Sequence, residues 1–111
     1  MQYLLLIYDD EKRWAKGYDE NEMKEYAAFG QEFKNQIVAG KALQATRTAT
    51  TVRLREGKRL STDGPFAETK EHLSGFYLVE AKDLADAQRI AAKIPAAKYG
   101  SIEVRPIMKF D

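Results

Sequence analysis

The order of hydrophobic patterns predicts an α+β fold on the ferredoxin-like plan, β-α-β-β-α-β, with an antiparallel sheet and both helices on one face. Three observations carry this. Two apolar runs, Tyr3 to Tyr8 and Phe76 to Val79, suit central strands. An amphipathic stretch follows each run, with apolar residues three and four apart. Alternating segments near Thr50 and Ser101 supply the remaining strands. At 111 residues the chain is expected to form a single domain, residues 1–111, large enough to bury one core.

In order, Tyr3 to Tyr8 reads as a strand, and Asp9 to Gly17 as a polar connection carrying Trp14. Asp19 and Glu22 have the spacing of a capping box. Met23, Tyr26, Gly30, Phe33 and Ile37 then form the stripe of a helix, which Gly40 is expected to end. Leu43 to Thr46 is predicted as a short strand. Thr50 to Arg55 and Lys58 to Thr62 form a hairpin around Glu56-Gly57. Gly75 to Glu80 is the second central strand. Asp83 caps a helix whose stripe is Leu84, Ala87, Ile90, Ala91 and Ile94, and Pro95 stops it. Ser101 to Pro106 alternates as the last strand.

The absence of cysteine excludes disulfides, iron-sulfur clusters and thiolate zinc sites, and permits a reducing compartment. Eighteen Lys and Arg against seventeen Asp and Glu leave a formal charge of +1. Such a balance supplies neither the basic field of a nucleic-acid binder nor the polybasic cluster of a membrane-surface protein. The first apolar run is too short and wrongly flanked for a signal peptide or a membrane span, so the expected location is cytoplasmic. With helices on one sheet face only, the central strands turn leucines and aromatics outward on the other. That pattern predicts a homodimer joined through its sheets, with an associated cavity.

The segment between hairpin and second central strand, Thr62-Asp63-Gly64-Pro65-Phe66-Ala67-Glu68-Thr69-Lys70-Glu71, concentrates three carboxylates, a lysine and a rigid Gly-Pro joint. Together with Gly75-Phe76-Tyr77-Leu78, Val104-Arg105-Pro106-Ile107, Tyr3 to Tyr8 and Thr48 to Arg53, it resembles the DGPF-domain branch of the YCII-related family over nearly the whole chain. The resemblance implies a dimeric α+β barrel of bacterial origin. It also implies two functional directions: small lyases acting on oxygenated aromatic rings through a His/Asp pair, and proteins found beside or fused to alternative sigma factors. The lone histidine, His72, follows the motif instead of lying in the first-helix region where the lyase pattern has its histidine. Without a second histidine or a cysteine, metal binding at His72 is not expected.

Asp63 is therefore the candidate for proton transfer, held by Gly64 and Pro65 at the rim of a cavity; the other reading of the same carboxylate is an Asx turn that secures the loop. Arg53, Lys70 and Arg105 are candidates for holding an anion, or else solvated charges. Tyr8, Phe66 and Tyr77 are candidates for an aromatic wall against a planar ligand, or else core. Three functions follow as expectations: a cofactor-free lyase or isomerase using Asp63, a non-catalytic sensor of a small polar or aromatic metabolite, and an interaction module that docks on a sigma factor.

Overall fold

The computed structural model describes residues 1–110. It contains β1 (Gln2–Asp9), α1 (Glu20–Glu32), β2 (Ile37–Ala42), β3 (Thr50–Arg55), β4 (Lys58–Asp63), β5 (His72–Glu80), α2 (Leu84–Ala92) and β6 (Ser101–Pro106). Four strands form one antiparallel sheet in the order β2-β5-β1-β6, while β3 and β4 make a separate two-stranded hairpin. This is the ferredoxin-like plan with a hairpin arm inserted between β2 and β5. No helix among the described residues is long and apolar enough to cross a membrane.

The central position of β1 explains its unbroken apolar run. Tyr3, Leu5, Ile7 and Asp9 face the helices and are buried; Gln2, Leu4, Leu6 and Tyr8 face the other way and are half-buried. Helices α1 and α2 contribute Phe29, Phe33, Ala87 and Ile90 to the same core as Leu5 and Val79, so both lie on one face of the sheet. The Asp83 carboxylate accepts from the Asp86 amide and caps α2 as its position predicts. Glu56 and Gly57 have φ of 53° and 76°, the mirror-image turn that joins twisted strands tightly.

Two elements differ from the sequence reading. Helix α1 stops at Glu32, not at Gly40, because Gln36 and Ile37 both donate backbone hydrogen bonds to the Phe33 carbonyl and turn the chain out of the helix. Ile37 and Val38 then begin β2, so the strand expected at Leu43 to Thr46 lies at Ile37–Ala42 instead. Gly40 sits inside that strand, where the Tyr77 ring covers it: a Cβ there would lie 2.6 Å from Tyr77 Cδ1.

The buried stripe of α1 also differs, running Glu22, Tyr26, Phe29 and Phe33. Met23 lies outside the core at 57% exposure. A charged residue occupies the first buried position, and that shifted the apparent apolar spacing by one residue.

Candidate functional site

The side chain at the end of the buried row of β1 is polar. Asp9 is only 3% exposed, although it follows Tyr3, Leu5 and Ile7 on the helix-facing side. An irregularity in the pairing with β5 falls immediately before it, where Ile7 opposes Gly75 and Tyr8 opposes Leu73. The extra residue is Ser74 of β5, so β1 keeps its alternation and Asp9 falls on the buried side in step with Ile7. The residues after β1 form a 3₁₀ turn, Glu11–Arg13, capped by the Asp10 carboxylate on the Lys12 amide at 2.9 Å. This turn brings Arg13 back over Asp9.

The guanidinium joins two elements. Arg13 Nε donates to Asp9 Oδ1 at 3.0 Å and Nη2 to Asp9 Oδ2; Nη2 also reaches Glu22 Oε1 of α1 at 3.0 Å. The Tyr99 ring stacks on its far side, 4.1 Å from the guanidinium carbon. The hydrogen bond to Asp9, with Glu22 adding, holds the Arg13 proton well above its ordinary affinity despite partial burial. Glu22 therefore does not reach back to Asp19 as a capping box would; the Asp19 carboxylate caps α1 through the Asn21 amide, and Glu22 is spent on Arg13.

Beside this cluster, a cavity of about 390 Å³ opens between α1 and the sheet. Trp14, Tyr18, Tyr26 and Tyr77 give it aromatic walls, Gly40 and Gly75 thin its floor, and Asp9, Arg13 and Glu22 supply its charge. Trp14 and Tyr18 stack with ring centroids 5.6 Å apart. Burial foremost, with the Glu22 carboxylate adding, pushes the Tyr26 hydroxyl far above its ordinary range, and burial raises Tyr77 as well. Both phenols stay protonated at neutral pH. Two carboxylates against one guanidinium leave the cluster formally at −1, so it favours ligands that donate hydrogen bonds and disfavours anions.

Of the residues singled out in the sequence, Tyr77 lines this cavity. Lys70 lines a second hollow with Asp10, Lys12 and His72, and His72 Nδ1 is buried without a hydrogen-bond partner among the described residues. Tyr8 and Arg105 come together on the outer sheet face: the Tyr8 hydroxyl donates to Glu103 Oε1 at 3.3 Å and Arg105 Nε to Glu103 Oε2 at 3.0 Å. Asp63 lies exposed at the end of β4, on the opposite face of the hairpin from Arg53. Phe66 is 80% exposed.

The motif around Asp63 has a clear local architecture. Gly64 adopts φ of 100°, which side chains rarely tolerate. Its amide donates to the Ala49 carbonyl at 2.7 Å, and its own carbonyl accepts from Thr51 Oγ1 at 2.8 Å. The Glu71 carboxylate accepts from Ser101 Oγ at 2.8 Å, tying the other end of the loop to β6.

Sequence reasoning passed over Asp9 and Arg13, and it read Glu22 as a cap and Tyr26 as part of the helix stripe, not as site residues. One signal for the first was available: continuing the alternation 3, 5, 7 along β1 places an aspartate at a core position. A buried carboxylate requires a cation, and Arg13 stands four residues on.

Comparison with known proteins adds three findings. The family model described as "YCII-related domain" matches residues 1–111. An uncharacterized protein of Rhizobium meliloti (strain 1021) is 38% identical, over 96% of this chain and 92% of its own length. The 5-chloro-2-hydroxyhydroquinone dehydrochlorinase of Burkholderia phenoliruptrix AC1100, solved in complex with 2,5-dihydroxybenzoquinone, superposes with a TM-score of 0.58 at 15% identity. That superposition covers 97% of this chain and 94% of the dehydrochlorinase.

Proposed function

The chain belongs to the YCII-related family, and on that premise we propose that it binds a small, planar, hydroxylated metabolite in the cavity between α1 and the sheet. The observation that carries this reading is the Asp9–Arg13–Glu22 cluster, with both carboxylates buried, beside aromatic walls. Carboxylates only accept hydrogen bonds, so ring hydroxyls suit them, while Trp14 and Tyr77 offer faces for the ring. A neighbour in fold that is complexed with 2,5-dihydroxybenzoquinone is in keeping with a ligand of that class.

Trp14 is the sole tryptophan and lines the cavity, which makes it an intrinsic reporter. Titration at neutral pH with hydroquinone and catechol, which stay neutral and donate hydrogen bonds, is expected to quench its fluorescence saturably, with one site per chain. Linear, non-saturating quenching across the series would refute the assignment.

The catalytic form of this reading is a cofactor-free lyase or isomerase with Asp63 as proton carrier. Because Asp63 stands outside its own chain's cavity, this form requires the carboxylate of a second copy. The half-buried outer face carrying Leu4, Leu6, Phe76 and Leu78 supports a homodimer joined through its sheets. Asp63→Asn is expected to abolish turnover and spare binding; full activity in that variant would remove Asp63 from the chemistry and leave a ligand sensor.

A further inference from the structure

The chain exposes more surface than its mass warrants. A compact protein of 12.6 kDa exposes about 6,200 Å², whereas this chain exposes 8333 Å². Its radius of gyration is 15.9 Å, against about 13 Å expected for its length. It is a slab of 46 × 45 × 18 Å. The excess of about 2,100 Å² falls within the range that each copy contributes to a large, permanent homodimer interface.

The β3–β4 arm is a principal source of that excess. Every residue of β4 is exposed, as is all of β3 except Thr51. A two-stranded hairpin in water is marginal without a surface to pack on, and the arm is nevertheless anchored at its base. The Glu11 carboxylate accepts from the Thr46 amide at 2.6 Å and from Thr46 Oγ1 at 3.0 Å, and Gly64 bonds across to Ala49.

Cross-strand pairing gives the arm two unlike faces. One carries Val52 opposite Ser61 and Leu54 opposite Arg59; the other carries Arg53 opposite Leu60 and Arg55 opposite Lys58. Val52 and Leu54 are 58% and 68% exposed. The second face sets three cations around one leucine, Leu60, where the first sets one cation beside Val52 and Leu54.

We propose that the arm is a clasp between two copies of this chain: its Val52/Leu54 face lies on the partner, and Phe66 at its base anchors the contact. A second copy fits because the same chain presents the unmatched apolar outer sheet face and because the excess area equals one half of an obligate dimer interface. Thr50 and Asp63 pair on the face that bears Val52 and Leu54, so the clasp carries Asp63 to the junction between copies. This inference stands independently of what the cavity binds.

Hydrogen exchange of the full chain across a dilution series, followed with sedimentation equilibrium, tests it. Dimers of about twice 12.6 kDa are expected, with arm amides protected in the dimer and losing protection on dilution before those of β1 and β5. Leu54→Glu and Phe66→Ala are expected to weaken dimerisation at least tenfold, the loss typical of interface anchors, while Arg53→Glu on the other face leaves it within twofold. Circular dichroism of each variant verifies that the body remains folded, since none of the three side chains is in the core. A monomeric chain, concentration-independent arm exchange, or equal effects of Leu54→Glu and Arg53→Glu would overturn the clasp.

Discussion

The four-stranded body and the β3–β4 arm are both antiparallel sheet, yet they solve the problem of apolar surface in opposite ways. In the body, each inward side chain of β1 meets a helix, and Leu5, Val79 and Ile90 are removed from water completely. In the arm, Val52 and Leu54 stay more than half exposed. The difference shows where the stability of the chain resides and where it does not. Burial against α1 and α2 holds the body together, and the charged cluster at its edge is tolerated because Arg13 satisfies two carboxylates at once. The arm contributes little to the fold of the single chain, so its apolar residues are free to serve an interface.

Substitutions sharpen this contrast. Ile90→Ala removes a fully buried side chain and is expected to lower unfolding stability by about 4 kcal/mol; chemical denaturation measures it. Leu54→Ala, of similar chemistry in the arm, is expected to leave the unfolding of the isolated chain nearly unchanged, and an equal loss at both positions would break the contrast. Arg13→Met strands Asp9 and Glu22 as buried carboxylates without a cation, at a cost of about 3 kcal/mol at neutral pH. Arg13→Lys, which keeps a cation beside both carboxylates, should recover part of that loss; an equal loss in both variants would show that Arg13 acts by packing alone. Gly40→Ala drives a methyl group into the Tyr77 ring and is expected to cost about 2 kcal/mol and to narrow the cavity.

A smaller effect concerns alkaline pH. Burial holds the Tyr26 hydroxyl above its value of 10.0 in the unfolded chain. Below pH 10 both states are neutral and the contribution is complete. As pH rises past 10, the unfolded state ionises first, and stability falls by about 1.4 kcal/mol per pH unit until the folded state also ionises. Tyr26→Phe should flatten that limb, and an unchanged alkaline profile would show that the hydroxyl is not shielded. At the weak end, Arg53→Ala is expected to shift stability by less than about 0.5 kcal/mol.

What could be read from the sequence divides along the same line. Both central strands, the second helix with its Asp83 cap, the hairpin with its turn, and the ferredoxin-like order were legible because apolar periodicity and turn chemistry report them directly. The stripe of α1 was misread because Glu22 occupies a core position, and a pattern search that counts only apolar residues skips it. Gly40 looked like a helix stop, while its actual requirement is the Tyr77 ring lying against it, a contact 37 residues away along the chain. The cavity expected from the sequence was one associated with a partner across the outer sheet face, whereas this one opens between α1 and the sheet; its charged cluster was not legible because Asp9, Arg13 and Glu22 come from a strand end, a turn and a helix that only the folded chain brings together. The Asp63 motif drew notice for its carboxylates, while its visible work lies in the Gly64 bonds that tie the arm to its base.

The location of the site is the claim on which the functional account depends, and a crystal of the full chain soaked at neutral pH with hydroquinone, a neutral ring that donates hydrogen bonds, tests it most directly. Ordered density between α1 and the sheet, with a ring oxygen within hydrogen-bond distance of Asp9 or Glu22 and a ring face against Trp14 or Tyr77, is the predicted result. Density at the Asp63 loop or on the outer sheet face, or an empty cavity after a millimolar soak, would contradict it.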